Sequence, residues 1–140
     1  GMLLGGCGCG YFALAFCMIG HAFPVFFKFK GGKCVATLFG GMTALEPAVA
    51  LILFVFFFII VWGTKYVSLG SVIGAALLPL MVEGAWKVLP WHVQGADYST
   101  VIICSVFFAC FIVWLHRANL KRLYNGEERK TNLFGRKKSE

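Results

Sequence analysis

The stretch Pro47–Trp62, "PAVALILFVFFFIIVW", constrains this chain more than any other. It carries no charged side chain, and its only polar side-chain atom is an indole nitrogen. A helix of that composition has no polar face to turn to water. A half-buried strand would alternate apolar and polar residues, and this run does not. At 1.5 Å per residue it reaches about 24 Å, close to the roughly 30 Å of a bilayer's hydrocarbon core.

Four further apolar segments flank it: Met2–Gly20, Cys34–Glu46, Ser68–Val82 and Tyr98–Leu115. Hydrophobic residues make up 59% of the 140-residue chain and charged residues 14%, against about 45–50% and about 25% in soluble domains. A soluble fold of this size leaves too much area in water to hide that much apolar surface. The expected fold is all-α: a polytopic integral membrane helical bundle of about five hydrophobic segments. Residues 1–116 are expected to form the bundle, with a phosphate-binding loop at 20–37, and residues 117–140 a basic cytoplasmic tail. Small residues at Gly70 and Gly74 suit close helix contact. The chain opens Gly1-Met2 without a charged leader, so it does not read as a signal peptide.

The formal charge is +7, and eight of the thirteen Lys and Arg residues lie beyond His116. Three more, Lys28, Lys30 and Lys33, stand together near the start. Basic residues at membrane edges mark the cytoplasmic side, and no polar domain exists here to carry a nucleic-acid site. If both clusters are cytoplasmic, the four segments between them cross an even number of times. Four crossings put Glu46 outside and Lys65 inside; two crossings with two re-entrant segments also satisfy the parity.

The six cysteines read as small hydrophobes, since Cys17, Cys104 and Cys110 lie within apolar runs. The Cys7-Gly-Cys9 pair lacks the further ligands that zinc requires, so no metal site is expected.

Two stretches carry chemistry. In "HAFPVFFKFKGGKCVATLFGG", from His21 to Gly41, Gly31 and Gly32 permit close backbone approach. The helix expected after them offers N-terminal N–H groups to an anion, and Lys33 adds a point charge suited to phosphate. It is not a Walker A loop, because Phe27 stands at the first glycine position and Cys34 follows the lysine. A cytoplasmic basic loop with a flexible turn accounts for the same residues. In "HRANLKRLYNGEERK", His116, Asn119 and Arg122 share one helix face. That face could bind an anion and orient a hydroxyl, or simply meet lipid headgroups.

Together "GHAFPVFFKFKGGKCVAT", "YVSLGS" with Pro79 beyond it, and "HRANLKRLYNGEE" resemble the acyl-phosphate:glycerol-3-phosphate acyltransferases of the PlsY type. The resemblance covers Gly20 to Glu128, and the motifs follow the family's order. Members of that family also have a preceding span and a Gly/Ser/Asn-rich loop ending in Arg. Nothing here matches those, so the chain is expected to be the last two-thirds of such an enzyme. Cys34 stands where the family usually has Gly, and a Cβ there restricts positive φ.

The resemblance implies transfer of a fatty acyl group from acyl phosphate to glycerol 3-phosphate at a bacterial inner membrane, with the site and C-terminus cytoplasmic and no cofactor. It assigns phosphate contacts to Gly31, Gly32 and Lys33. His116 and Asn119 would orient glycerol 3-phosphate, with either His116 or the substrate's own phosphate taking the proton. Ser68 and His21 become substrate contacts, His21 chiefly by shaping the loop. Glu128 is expected to anchor the tail through Arg122 or Arg129. The competing class is an inactive remnant or small membrane protein that binds anionic lipid through its basic edges. A transporter fragment is disfavoured by the scarcity of intramembrane ionisable residues.

Overall fold

The computed structural model describes residues 2–25, 31–88 and 97–131, with side chains from residue 8 onward. All regular structure among them is helical: α1 (Met2–Ala22), α2 (Val35–Leu45), α3 (Pro47–Thr64), α4 (Val67–Val88), α5 (Tyr98–Leu115) and α6 (Arg117–Tyr124). Helices α1, α2, α3 and α5 match their apolar segments to within two residues, whereas α4 runs on past Val82 through Glu83 and Lys87 to Val88. Pro47 sits at the first turn of α3, where its missing N–H costs no hydrogen bond. Asp97 caps α5 by accepting from the Thr100 N–H at 2.8 Å.

Helices α3, α4 and α5 are long and apolar enough to cross a membrane. Their outer faces remain greasy: Leu51, Val55, Ile59 and Ile103 are exposed, as lipid contact demands. The chain is an integral membrane helical bundle, as its composition requires. Helix α2 differs, since its 11 residues reach only about 16 Å.

Neighbouring elements pack antiparallel, α1 on α2, α2 on α3, α3 on α4 and α4 on α5, and α1 returns to contact α5. The core collects Tyr11, Met18, Met42, Leu78, Phe108 and Ile112, all almost fully buried. Along the α1–α2 seam, the Cys34 Sγ–H donates to the Met18 carbonyl at 3.1 Å, and Gly41 lies against Leu14. At the far end of α2, the Tyr11 hydroxyl donates to the Glu46 Oε1 at 3.0 Å, and both residues are buried. Tyr11 lies midway along α1, so α2 accompanies only the latter part of that helix.

The two small residues of α4 do different work. A Cβ on Gly70 would press on Val61 and Phe57 of α3, so this glycine sets how closely the two helices approach. Gly74 meets no such neighbour and instead borders an internal cavity.

The chain turns twice through the left-handed region at residues other than glycine, at Cys34 (φ 60°) and Lys65 (φ 66°). Both turns lie at one end of the bundle, here called the mouth end. It gathers the close of α1, the starts of α2 and α4, the close of α5 and all of α6. The opposite end holds the close of α4 and the start of α5; residues 89–96 between them lie outside the described residues.

Candidate functional site

The mouth end opens into a cavity of about 570 Å³, within the range typical of ligand sites. Its rim carries Lys33, Ser68, His116, Asn119, Glu128 and Arg129. Its shaft is apolar and runs between α2, α3 and α4, bordered by Leu38, Met42, Leu53, Phe54 and Leu78.

Lys33 reaches this rim because the chain before it is pressed against the end of α1. The Gly32 N–H donates to the His21 carbonyl at 3.2 Å. A Cβ on Gly31 would collide with the His21 and Ala22 carbonyls, and one on Gly32 with the His21 ring. Gly31 is therefore demanded by packing against backbone, whereas the exposed His21 ring beside Gly32 is free to swing aside. Neither glycine nor His21 lines the cavity; they lie next to Lys33, which does. Cys34 then takes up a left-handed conformation that costs most L-residues about 1–2 kcal/mol, held by its bond to Met18. Val35 and Ala36, whose N–H groups begin α2 without a side-chain cap, border the cavity beside Lys33. Lys28 and Lys30 lie outside the described residues.

His116 ends α5 and precedes α6, with φ −93° and ψ 4°. The break redirects the chain while keeping His116 and Asn119 on the cavity side. His116 is 2% exposed. Its Nδ1 lies 2.8 Å from the Ile112 carbonyl, which can only accept, so Nδ1 carries the hydrogen and Nε2 keeps a free lone pair. Burial pushes its pKa below the ordinary histidine value, and nearby Lys33 pushes the same way. The ring is a neutral proton acceptor at neutral pH.

Asn119, also buried, donates from Nδ2 to Glu128 Oε1 at 2.6 Å. The bond fixes which way the amide points, and the residue borders the cavity. Arg122 Nε holds the other carboxylate oxygen at 2.9 Å. The Glu128 pKa falls to about 2, first through the Asn119 bond, with Ser68 and Arg122 contributing. Of the two partners expected for Glu128, Arg122 is the one that pairs with it. Arg122 itself stands outside the cavity lining and braces the rim from behind.

Ser68 begins α4 with a buried hydroxyl that makes no hydrogen bond of normal geometry, although it faces Glu128 closely enough to help lower its pKa. A buried hydroxyl without a partner is costly, and this one borders the cavity. Of the residues singled out in the sequence, the fold brings Lys33, Ser68, His116, Asn119 and Glu128 to one rim. Gly31, Gly32, His21 and Arg122 stand behind it.

Sequence reading missed the rim placement of Arg129 and the cavity position of Ser71, one helical turn beyond Ser68. The spacing of Ser68 and Ser71 was the available signal for the latter. Nothing local signals Arg129, because its position depends on how residues 125–131 fold back.

Chemically, the rim combines one ammonium group, free N–H groups at the start of a helix, an unpaired hydroxyl and a neutral imidazole. Such a set suits an anion next to a hydroxyl that must lose its proton. The shaft below suits an alkyl chain.

Known proteins resemble this chain in sequence and in fold. A family model described as glycerol-3-phosphate acyltransferase matches residues 2–126. The glycerol-3-phosphate acyltransferase of Clostridioides difficile (strain 630) is 38% identical over 129 residues, 92% of this chain and 56% of that protein. That of Syntrophomonas wolfei is 42% identical over 113 residues, 81% of this chain and 53% of that protein. Among solved structures, the crystal structure of PlsY, an integral membrane glycerol 3-phosphate acyltransferase, in its glycerol 3-phosphate form has a TM-score of 0.71 and 34% identity. That match covers 84% of this chain and 56% of PlsY. The lysophosphatidic acid form of PlsY gives a TM-score of 0.68 and 32% identity over 82% of this chain and 54% of PlsY. The chain spans about half the length of the relatives it matches. By the extent of the family match and the agreement of the fold, the chain belongs to the glycerol-3-phosphate acyltransferase family.

Proposed function

We propose that this chain takes part in moving a fatty acyl group from acyl phosphate to glycerol 3-phosphate, giving lysophosphatidic acid and inorganic phosphate. One observation carries the reading. A single cavity joins a polar rim of Lys33, Ser68, His116 and Asn119 to an apolar shaft, which is what a substrate half alkyl and half phosphate requires.

In this reading the acyl chain lies in the shaft and its carbonyl stands at the rim. The glycerol 3-phosphate hydroxyl attacks the carbonyl carbon, forming the ester C–O bond. The bond from that carbon to the phosphate oxygen breaks, and phosphate leaves with the bonding pair. The hydroxyl proton passes to His116 Nε2 or to the departing phosphate. Lys33, the start of α2 and Ser68 steady the phosphate, and Asn119, locked by Glu128, directs the hydroxyl. Acyl phosphate is already activated, so placement and charge stabilisation carry the chemistry, with no acyl-enzyme required. The mouth end faces the cytoplasm of a bacterial cell in its inner membrane. Residues 1–116 form the membrane bundle there, and the basic stretch from 117 closes the cytoplasmic face beside anionic lipid.

The test is transfer of radiolabelled glycerol 3-phosphate into lipid by the protein expressed from its native locus. Lys33→Ala is expected to lose most acyl-phosphate-dependent transfer while still inserting in the membrane. Full activity in that variant would remove the phosphate-binding role of the rim.

A further inference from the structure

We propose that Arg129 is a second phosphate-binding residue of the rim, sharing the cavity lining with Lys33 and held there by a fastened strap, residues 125–131. The inference deepens the acyltransferase reading and rests on it for the identity of the phosphate.

Charge sets the need. A phosphate monoester carries about −1.5 to −2 charges at neutral pH, and the proposed reaction brings two phosphate-bearing substrates to one rim. The described cations that line the cavity are Lys33 and Arg129. Among the described residues, two further cations and His116 at this end are engaged elsewhere. Arg122 is bound to Glu128. Arg117 donates to the Trp114 carbonyl at 3.0 Å and lies over that indole ring. His116 is a buried ring with its Nδ1 at the Ile112 carbonyl. Among the described residues, Lys33 alone is poor compensation for two phosphates.

The strap determines where Arg129 stands. It begins where α6 ends, with the Gly126 N–H donating to the Leu123 carbonyl and the Glu127 N–H to the Arg122 carbonyl at 2.8 Å. Gly126 turns there at φ 74°. On one side of Arg129, Glu128 is fastened by Asn119 and Arg122. On the other, the Thr131 N–H donates to the Lys65 carbonyl at 2.7 Å. Arg129 is bracketed by anchors to two different parts of the bundle, yet its own guanidinium forms no ion pair among the described residues. Glu128, its nearest carboxylate in sequence, already has both oxygens occupied. A planar guanidinium offers two parallel N–H donors that match a phosphate's oxygens, which an ammonium cannot imitate.

The experiment compares wild type, Arg129→Ala, Arg129→Lys and Lys130→Ala in the natively expressed protein. The acyl-phosphate and glycerol 3-phosphate KM values are measured separately, together with inorganic phosphate binding by equilibrium dialysis. Arg129→Ala should raise at least one KM about tenfold or more, the scale of losing a charged hydrogen-bond pair. The lysine variant should fall between it and wild type, and Lys130→Ala should stay near wild type. Whichever KM rises identifies which substrate's phosphate Arg129 holds. KM values for both substrates within twofold of wild type in Arg129→Ala overturn the proposal. So does an equal effect from Lys130→Ala, which would mark the strap alone as responsible. Absence of transfer even in wild type would sink the acyltransferase reading. Inorganic phosphate binding then decides the Arg129 site: affinity about tenfold weaker in Arg129→Ala upholds it, and unchanged affinity overturns it.

Discussion

The two ends of this bundle are built on different terms. At the far end, Asp97 caps α5 through the exposed Thr100, and Lys87 pairs with Glu83 one turn away, both well exposed. These are ordinary devices that water screens, and exposed pairs of this kind contribute little. At the mouth end His116 and Asn119 are buried, and the Glu128 side chain is only 8% exposed. Here too Cys34 and Lys65 hold left-handed backbone that glycine would adopt more easily. Strained backbone and buried polar groups persist only where surrounding contacts enforce them. The far end also buries one carboxylate, Glu46, on the Tyr11 hydroxyl, so what sets the mouth end apart is that its buried polar groups gather around a cavity.

That contrast can be broken by substitution. Glu128→Ala should have the largest effect short of removing His116. It frees Asn119 and Arg122 together, and a transfer rate lower by about thirtyfold is expected from a loss of about 2 kcal/mol in orientation. An unchanged rate would show that Asn119 needs no brace. Next comes Gly70→Leu at the α3–α4 contact, where the added side chain must displace Val61 and Phe57. Overpacking of this kind costs about 1–3 kcal/mol, visible as a lower melting temperature in detergent. A stable Gly70→Leu variant would mean that the helices are free to separate.

Acid sharpens the same comparison. The lowered Glu128 pKa contributes stability that is present above its ordinary value of 4.5 and is lost as pH falls towards about 2. His116 is also lowered, from 6.5, so the unfolded chain takes up a proton there before the folded one. Stability therefore begins to decline as pH drops below 6.5. If His116 accepts the proton in transfer, the acid limb of the rate profile lies below 6.5. An acid limb at or above 6.5 would count against a buried neutral ring.

Smaller still is Cys34→Gly. It relieves about 1 kcal/mol of left-handed strain but gives up the bond to Met18, so a net change under about 1 kcal/mol is expected. Marked destabilisation would make that sulfur bond the chief anchor of the loop. Last, Glu83→Gln at the far end should leave both transfer and melting unchanged. A rate loss there would erase the distinction between the ends.

Much of this was legible in the sequence, for physical reasons. In lipid every backbone polar group must be satisfied internally, so an apolar run without charges has little choice but helix, and the limits of α3 and α5 follow from Pro47, Asp97 and His116. His116 and Asn119 share a face because the turn between α5 and α6 departs little from helical rotation. The packing reason for Gly31 was not legible, since only the fold brings the His21 and Ala22 carbonyls against it. Arg129 was hidden for a similar cause. Its place follows from the Thr131–Lys65 bond, a contact between residues 66 positions apart that no local pattern encodes. Cys34 lay between the two cases, because its awkwardness at a glycine position was readable but its sulfur anchor was not.

The account rests on the proposal that His116 acts at a transfer site at the mouth end, orienting glycerol 3-phosphate or taking its proton. The most direct test is the initial rate of acyl transfer from acyl phosphate to glycerol 3-phosphate in wild type and in His116→Ala, with His116→Gln as a second variant to preserve packing. Both must first show wild-type helix content and melting. A rate at least about a hundredfold lower in both variants is expected, the usual range for loss of a positioned proton acceptor. Rates within twofold of wild type would contradict the account and leave His116 a buried packing residue at the end of α5.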